Sequence, residues 1–151
     1  MNDAPEQDAR AILQGKYLCE DYGEWVPAKA SPEAHRLSCG LIDESGSVAR
    51  LYVELLVKES QKTNIRHYKF SVLRRKPYES RIYQLEIRTS PKSLKDKHQR
   101  PHEHIGNARL IGDVVWAEWG FYEVLAHFMK RTNIEFSPTL ESPLEFRLRP
   151  S

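Results

Sequence analysis

Apolar and polar residues alternate through the middle of the chain and change to helical spacing near its end. In residues 49–58, Leu51, Val53, Leu55 and Val57 share one side of an extended backbone, and Tyr52, Glu54, Leu56 and Lys58 the other. A period of two is the signature of a strand buried on one face. Residues 66–75 repeat it with Tyr68, Phe70 and Val72, and residues 81–89 with Tyr83, Leu85 and Ile87. Residues 35–43 form an apolar-rich strand before them, joined through the loop Asp43-Glu44-Ser45-Gly46-Ser47, where glycine allows positive φ. Polar connections at 60–64 and 76–80 complete an antiparallel meander of three or four strands.

The flanks are shorter. Residues 5–14 read as a helix with Pro5 in the first turn, Glu6 and Asp8 at its positive end and Gly15 as its stop. Residues 16–19 suit a brief strand, Trp25-Val26 an anchor, and residues 30–33, with Pro32, a connection. The lysine-rich residues 90–99 lack apolar periodicity and suit an exposed loop or short helix. Residues 108–115 suit a strand. Phe121, Val124, Leu125, Phe128 and Met129 give a helix over about 120–132, with Asn133 as its stop. Residues 144–148 alternate as a last strand after a loop bounded by Pro138 and Pro143. The expectation is one α+β domain over residues 1–151. A curved antiparallel meander of five to seven strands, centred on 35–89, packs against the C-terminal helix, with a short N-terminal helix beside it.

Composition alters this picture in one respect. The net charge of the 151 residues is only +2, but residues 1–57 carry 10 acidic and 5 basic side chains, residues 58–110 carry 5 and 14, and residues 111–151 carry 6 and 4. The meander is therefore locally cationic, which attracts polyanions, although outward lysines also protect strand edges. No apolar run approaches the roughly 20 residues of a membrane helix, and the acidic first residues do not suit a signal peptide. Two cysteines, Cys19 and Cys39, without metal-type spacing fit a reduced, cytoplasmic setting, with a disulfide between them as the alternative.

The densest titratable chemistry is Lys97-His98-Gln99-Arg100-Pro101-His102-Glu103-His104-Ile105-Gly106, which holds three of the six histidines. His98 and His102 would share a helix face, His102 and His104 a strand face. No cysteine pair completes a zinc set, Pro101 interrupts a helix, and neither metal nor cofactor is expected. Histidine titrates near neutrality and serves as general acid or base, so His102 and His104 are candidates for metal-independent cleavage of RNA through its 2′-hydroxyl. Unless Pro101 or Gly106 bends the backbone, only one of them is expected to enter a given cleft. The second catalytic group would come from Glu86, Tyr68, Tyr83 or Glu103. Arg81, Arg88 and Arg100, with Lys97, are the candidate phosphate ligands, and Tyr68, Tyr78 and Tyr83 the candidate stacking surfaces. His35, His67 and His127 stand alone and read as structural or surface residues. There is no nucleophile elbow and no glycine-rich phosphate loop.

The order of these segments, His67-Tyr68-Lys69-Phe70-Ser71, then Arg81-Ile82-Tyr83-Gln84-Leu85, then Arg100-Pro101-His102-Glu103-His104-Ile105-Gly106, resembles the small TumE-type toxins of bacterial toxin–antitoxin modules and related single-domain proteins of mobile elements. The likeness covers about residues 66–110 and the following helix. Where the family tends to have Arg-x-Asp and a second proline-histidine pair, this chain has Glu86 and Pro91-Lys92. The resemblance implies a growth-inhibiting toxin acting on RNA, neutralised by a protein partner, with His102 and His104 as the residues that carry over. The alternative is a non-catalytic phage- or plasmid-borne inhibitor or adaptor, binding nucleic acid or a nucleic-acid-handling protein through the basic sheet.

Overall fold

The structure, a computed structural model, describes residues 2–28, 31–60, 62–63, 65–75, 78–90, 95–96 and 99–143. It is α+β. Ten strands occur among these residues: β1 (Asn2–Asp3), β2 (Tyr17–Glu20), β3 (Val26–Ala28), β4 (Ser31–Asp43), β5 (Val48–Glu59), β6 (Arg66–Arg74), β7 (Ser80–Arg88), β8 (His102–Ile105), β9 (Ala108–Ile111) and β10 (Ile134–Ser137). Two α-helices, α1 (Glu6–Leu13) and α2 (Phe121–Thr132), and a 3-10 helix, Val114–Glu118, accompany them.

All ten strands join one curled sheet in the order β10-β2-β4-β5-β6-β7-β8-β9, with β3 added to β4 and β1 to β7. The run from β4 to β9 is a continuous antiparallel meander, as the alternation requires. The strands that were not expected, β1, β3, β8 and β10, are two to four residues long, too short to show alternation. Two pairings are parallel, β10 with β2 and β1 with β7. Register shifts at Gly40/Ile42 and Val72/Leu73 bend the strands and add to the curl.

Leu37, Leu55, Phe70 and Leu85 lie side by side across β4 to β7, on the face that α2 covers. Phe121, Val124, Leu125 and Phe128 form the buried stripe of α2. The Phe128 ring meets Phe70 edge-on at 5.7 Å and Tyr83 at 5.9 Å. Helix α1 adds Ala9 and Leu13 to the same core. Asn133 ends α2 in the left-handed conformation, φ 56°, and its Nδ2 donates to the Leu13 carbonyl at 2.7 Å, tying the two helices together.

Two expectations about the elements are corrected. Residues 31–33, expected in a connection, belong to β4, where Ser31 pairs with Ala28 of β3 and pairing with β5 begins at Ala34. The strand expected over 108–115 ends at Ile111, because Asp113 accepts the Val115 N–H and caps the 3-10 helix. Residues 134–137 form a sheet edge that was not anticipated. The strand expected at 144–148, His98, and most of the lysine-rich segment lie outside the described residues. Among the described residues, no helix is long and apolar enough to cross a membrane.

Candidate nucleic-acid interface

Among the described residues, α1 and α2 pack on one face of the sheet and neither lies on the other. On that second face, register sets out two rows: Arg36, Leu56, Lys69, Glu86, His102, Ile111, and beside it Ser38, Glu54, Ser71, Gln84, His104, Arg109. Lys58, His67 and Arg88 extend it at one end, and Arg81 with Asp3 at the other. Among these named residues, six basic and three acidic side chains share one face, so part of the sequence's cationic middle third folds into a local surface.

The strand period places His102 and His104 on the same face, which corrects the expectation that only one would enter a given cleft. Their rings meet edge-on with centroids 5.0 Å apart. Glu103, between them, points to the opposite face. The Gly106-Asn107 turn that closes β8 on β9 uses φ 55° at Gly106, where a Cβ would lie 2.4 Å from the Ala4 carbonyl oxygen.

A connected polar network holds these histidines. Arg81 donates to both Asp3 oxygens at 2.8 and 3.1 Å, to Gln84 Oε1 at 2.9 Å and to His104 Nδ1 at 3.2 Å. Gln84 Nε2 continues to Ser71 Oγ at 2.9 Å. Since guanidinium only donates, His104 Nδ1 is unprotonated and the ring's proton sits on Nε2. Burial, then the charges of Arg81 and His102, push the His104 pKa down to about 4, so it is neutral at pH 7.

His102 is held differently. Its Nδ1–H donates to the Arg100 carbonyl at 2.7 Å, leaving Nε2 3.5 Å from Glu86 Oε1. Burial lowers its pKa against the opposing effect of that carbonyl bond. Glu86 also accepts from His67 Nε2 at 2.7 Å and has Arg88 Nη2 at 3.7 Å. Burial pushes the Glu86 carboxyl up, but the hydrogen bond from His67 and the surrounding positive charges outweigh it and hold it at about 2. Glu86 is therefore a permanent anion against which His102 becomes an imidazolium when it takes a proton.

The structure brings together His102, His104, Glu86, Arg81 and Arg88. Arg100 contributes its carbonyl. Lys97 lies outside the described residues. Tyr68 and Tyr83, expected in the site, are buried in the core on the helix face, at 1% and 0% exposure, and neither catalyses nor stacks there. Their alternation with Lys69 and Gln84 already implied as much. Arg81, expected to hold phosphate, uses four of its N–H donors on Asp3, Gln84 and His104 and acts as a positioning residue. Sequence reasoning missed Lys69, Arg109 and His67, which only strand register places beside Glu86 and the histidines. Tyr78 is exposed. Among the described residues, no three histidine, cysteine or carboxylate side chains converge as metal ligands.

Glu103 forms a second cluster. On the helix face its row runs Leu55, Phe70, Leu85, Glu103, Leu110. His127 Nε2 donates to Glu103 Oε1, and Arg131 Nε lies 3.3 Å from the carboxylate. Burial pushes its pKa up, but these partners prevail and lower it. Trp116 and Trp119 stack with 5.2 Å between centroids, and both pack against His127. This clamp fastens β8 to α2 from behind.

Comparison with known proteins finds no matching family model, no matching curated protein and no matching solved structure.

Proposed function

We propose that the face of the sheet opposite α2 binds single-stranded RNA, with its cationic side chains along the phosphates and His104 offering Nε2–H to a phosphate oxygen. The observation that carries this is the register: six basic side chains against three acidic ones surround two adjacent histidines on one face. Lys69, Arg88 and Arg109 are exposed there. The test is fluorescence anisotropy with a labelled 12-nucleotide RNA. Each phosphate contact contributes about −0.7 to the slope of log affinity against log salt. Reversing Arg88 and Arg109 to Glu is expected to flatten the slope by about 1.4 and weaken binding more than tenfold. An unchanged slope rejects the reading.

A second reading, cleavage of the bound strand, is favoured by His102. Its Nδ1–H is anchored on a carbonyl and its unprotonated Nε2 faces the Glu86 anion. In this reading Nε2 takes the 2′-hydroxyl proton and the resulting alkoxide attacks phosphorus. The bond to the 5′-oxygen breaks, and that oxygen takes a proton from water, leaving a 2′,3′-cyclic phosphate. The resemblance to TumE-type toxins supports this reading, with growth arrest relieved by a protein partner as its cellular form. His102→Gln is expected to lower cleavage at least a hundredfold while RNA binding persists. Wild-type protein that binds RNA but releases no cyclic-phosphate ends leaves the binding reading alone standing.

A further inference from the structure

Beside the histidines, the same face contains a cup of about 300 Å³. Its floor is Ser71 and Gln84, 5% and 7% exposed, which are hydrogen-bonded to each other. Leu73 supplies an apolar side, and the Arg81–Asp3 pair closes one end. The remaining walls are Glu54 and Lys69. Glu54 stands directly across from Ser71, and Lys69 is the next residue of β6 on that face, so the two charges are diagonal neighbours. The floor and the closed end are committed to internal bonds. By contrast, the side chains of Glu54 and Lys69 take part in no hydrogen bond or ion pair among the described residues.

We infer that this cup receives one base of the bound strand and that the base is guanine. The inference rests on the RNA-binding reading of the face. An unengaged carboxylate and an unengaged ammonium across a small, net-neutral cup suit a flat neutral ligand with donors and an acceptor on one edge. Guanine has N1–H and N2–H side by side, which together occupy both oxygens of a carboxylate, and O6 next to them for the ammonium. Adenine, cytosine and uracil each present one donor group with an acceptor next to it, so a carboxylate reaching for that donor also meets a lone pair. A site built for two donors rejects an edge that lacks one, because a polar atom of the site is then left unpaired.

The experiment compares four labelled 12-nucleotide strands by anisotropy: all-uridine, and uridine with one central guanosine, adenosine or cytidine. Wild-type protein is expected to bind the guanosine strand about tenfold tighter than the others. Glu54→Gln, and separately Lys69→Met, are expected to bring all four strands within about twofold of one another, with far-UV circular dichroism confirming the fold. Equal wild-type affinities for the four strands overturn the guanine assignment and leave the RNA face intact. Failure of all four to bind overturns the reading of the face itself, and the cup with it.

Discussion

Replacing His127 with Ala tests how a carboxylate is kept inside the core. Glu103 is 1% exposed and stands between Leu85 and Leu110 in an otherwise apolar row. Its charge is stable there because His127 donates to it and Arg131 lies at 3.3 Å. Breaking a buried pair by removing one partner costs roughly 3–5 kcal/mol, because the other charge is left uncompensated. Arg131 remains in the variant but is 48% exposed, so screening limits its help and the expected cost is about 3 kcal/mol. Adding Glu103→Leu to His127→Ala removes the stranded charge and continues the leucine row. It is expected to recover about 2 kcal/mol or more. Urea unfolding at pH 7 reads both effects, followed by far-UV circular dichroism and by tryptophan fluorescence, since Trp116 and Trp119 pack on His127. A single variant within about 0.5 kcal/mol of wild type, or a double variant no more stable than the single, would mean that the buried Glu103 charge does not depend on His127. The clamp also bears on function: β8 carries Glu103 inward and His102 and His104 outward, so loosening it moves the candidate site.

Other predictions concern the two faces and the turns. His104 is lowered to about 4 and Glu86 to about 2, so the unfolded chain binds protons first in both cases. Stability is then expected to fall as pH drops from about 6.5 to 4 through His104, and further from about 4.5 to 2 through Glu86. Urea midpoints at stepped pH check this, with His104→Gln flattening the upper part. Gly106→Ala forces a Cβ against the Ala4 carbonyl at φ 55° and is expected to cost roughly 1–3 kcal/mol, read as a lower thermal midpoint. Tyr83→Phe alters only a hydroxyl on the helix face and is expected to leave RNA affinity unchanged. A loss of binding would place that ring in the site after all.

The meander was legible because β5, β6 and β7 are long enough for alternation to show, and α2 because five apolar residues fall at helical spacing. The edges were not: β1, β3 and β10 are held by pairing with distant strands, not by any pattern of their own. The site was half legible. The histidine stretch announced itself, and Glu86 and Arg88 were named with it. Which side chains share a face depends on register between strands far apart in sequence, and that register gathered Lys69, His67 and Arg109 while turning Tyr68, Tyr83 and Glu103 away. His127 looked isolated because its partner lies 24 residues earlier on another element.

RNA cross-linking read by mass spectrometry locates the proposed RNA-binding face itself. Ultraviolet irradiation of the protein with a 4-thiouridine 12-mer, followed by peptide mapping, locates the contact surface without any substitution. Adducts concentrated on peptides carrying Lys69, Arg88, His104 and Arg109 are the predicted result. Adducts confined to α1, α2 or the 3-10 helix, or none above the level of a free-nucleoside control, contradict it.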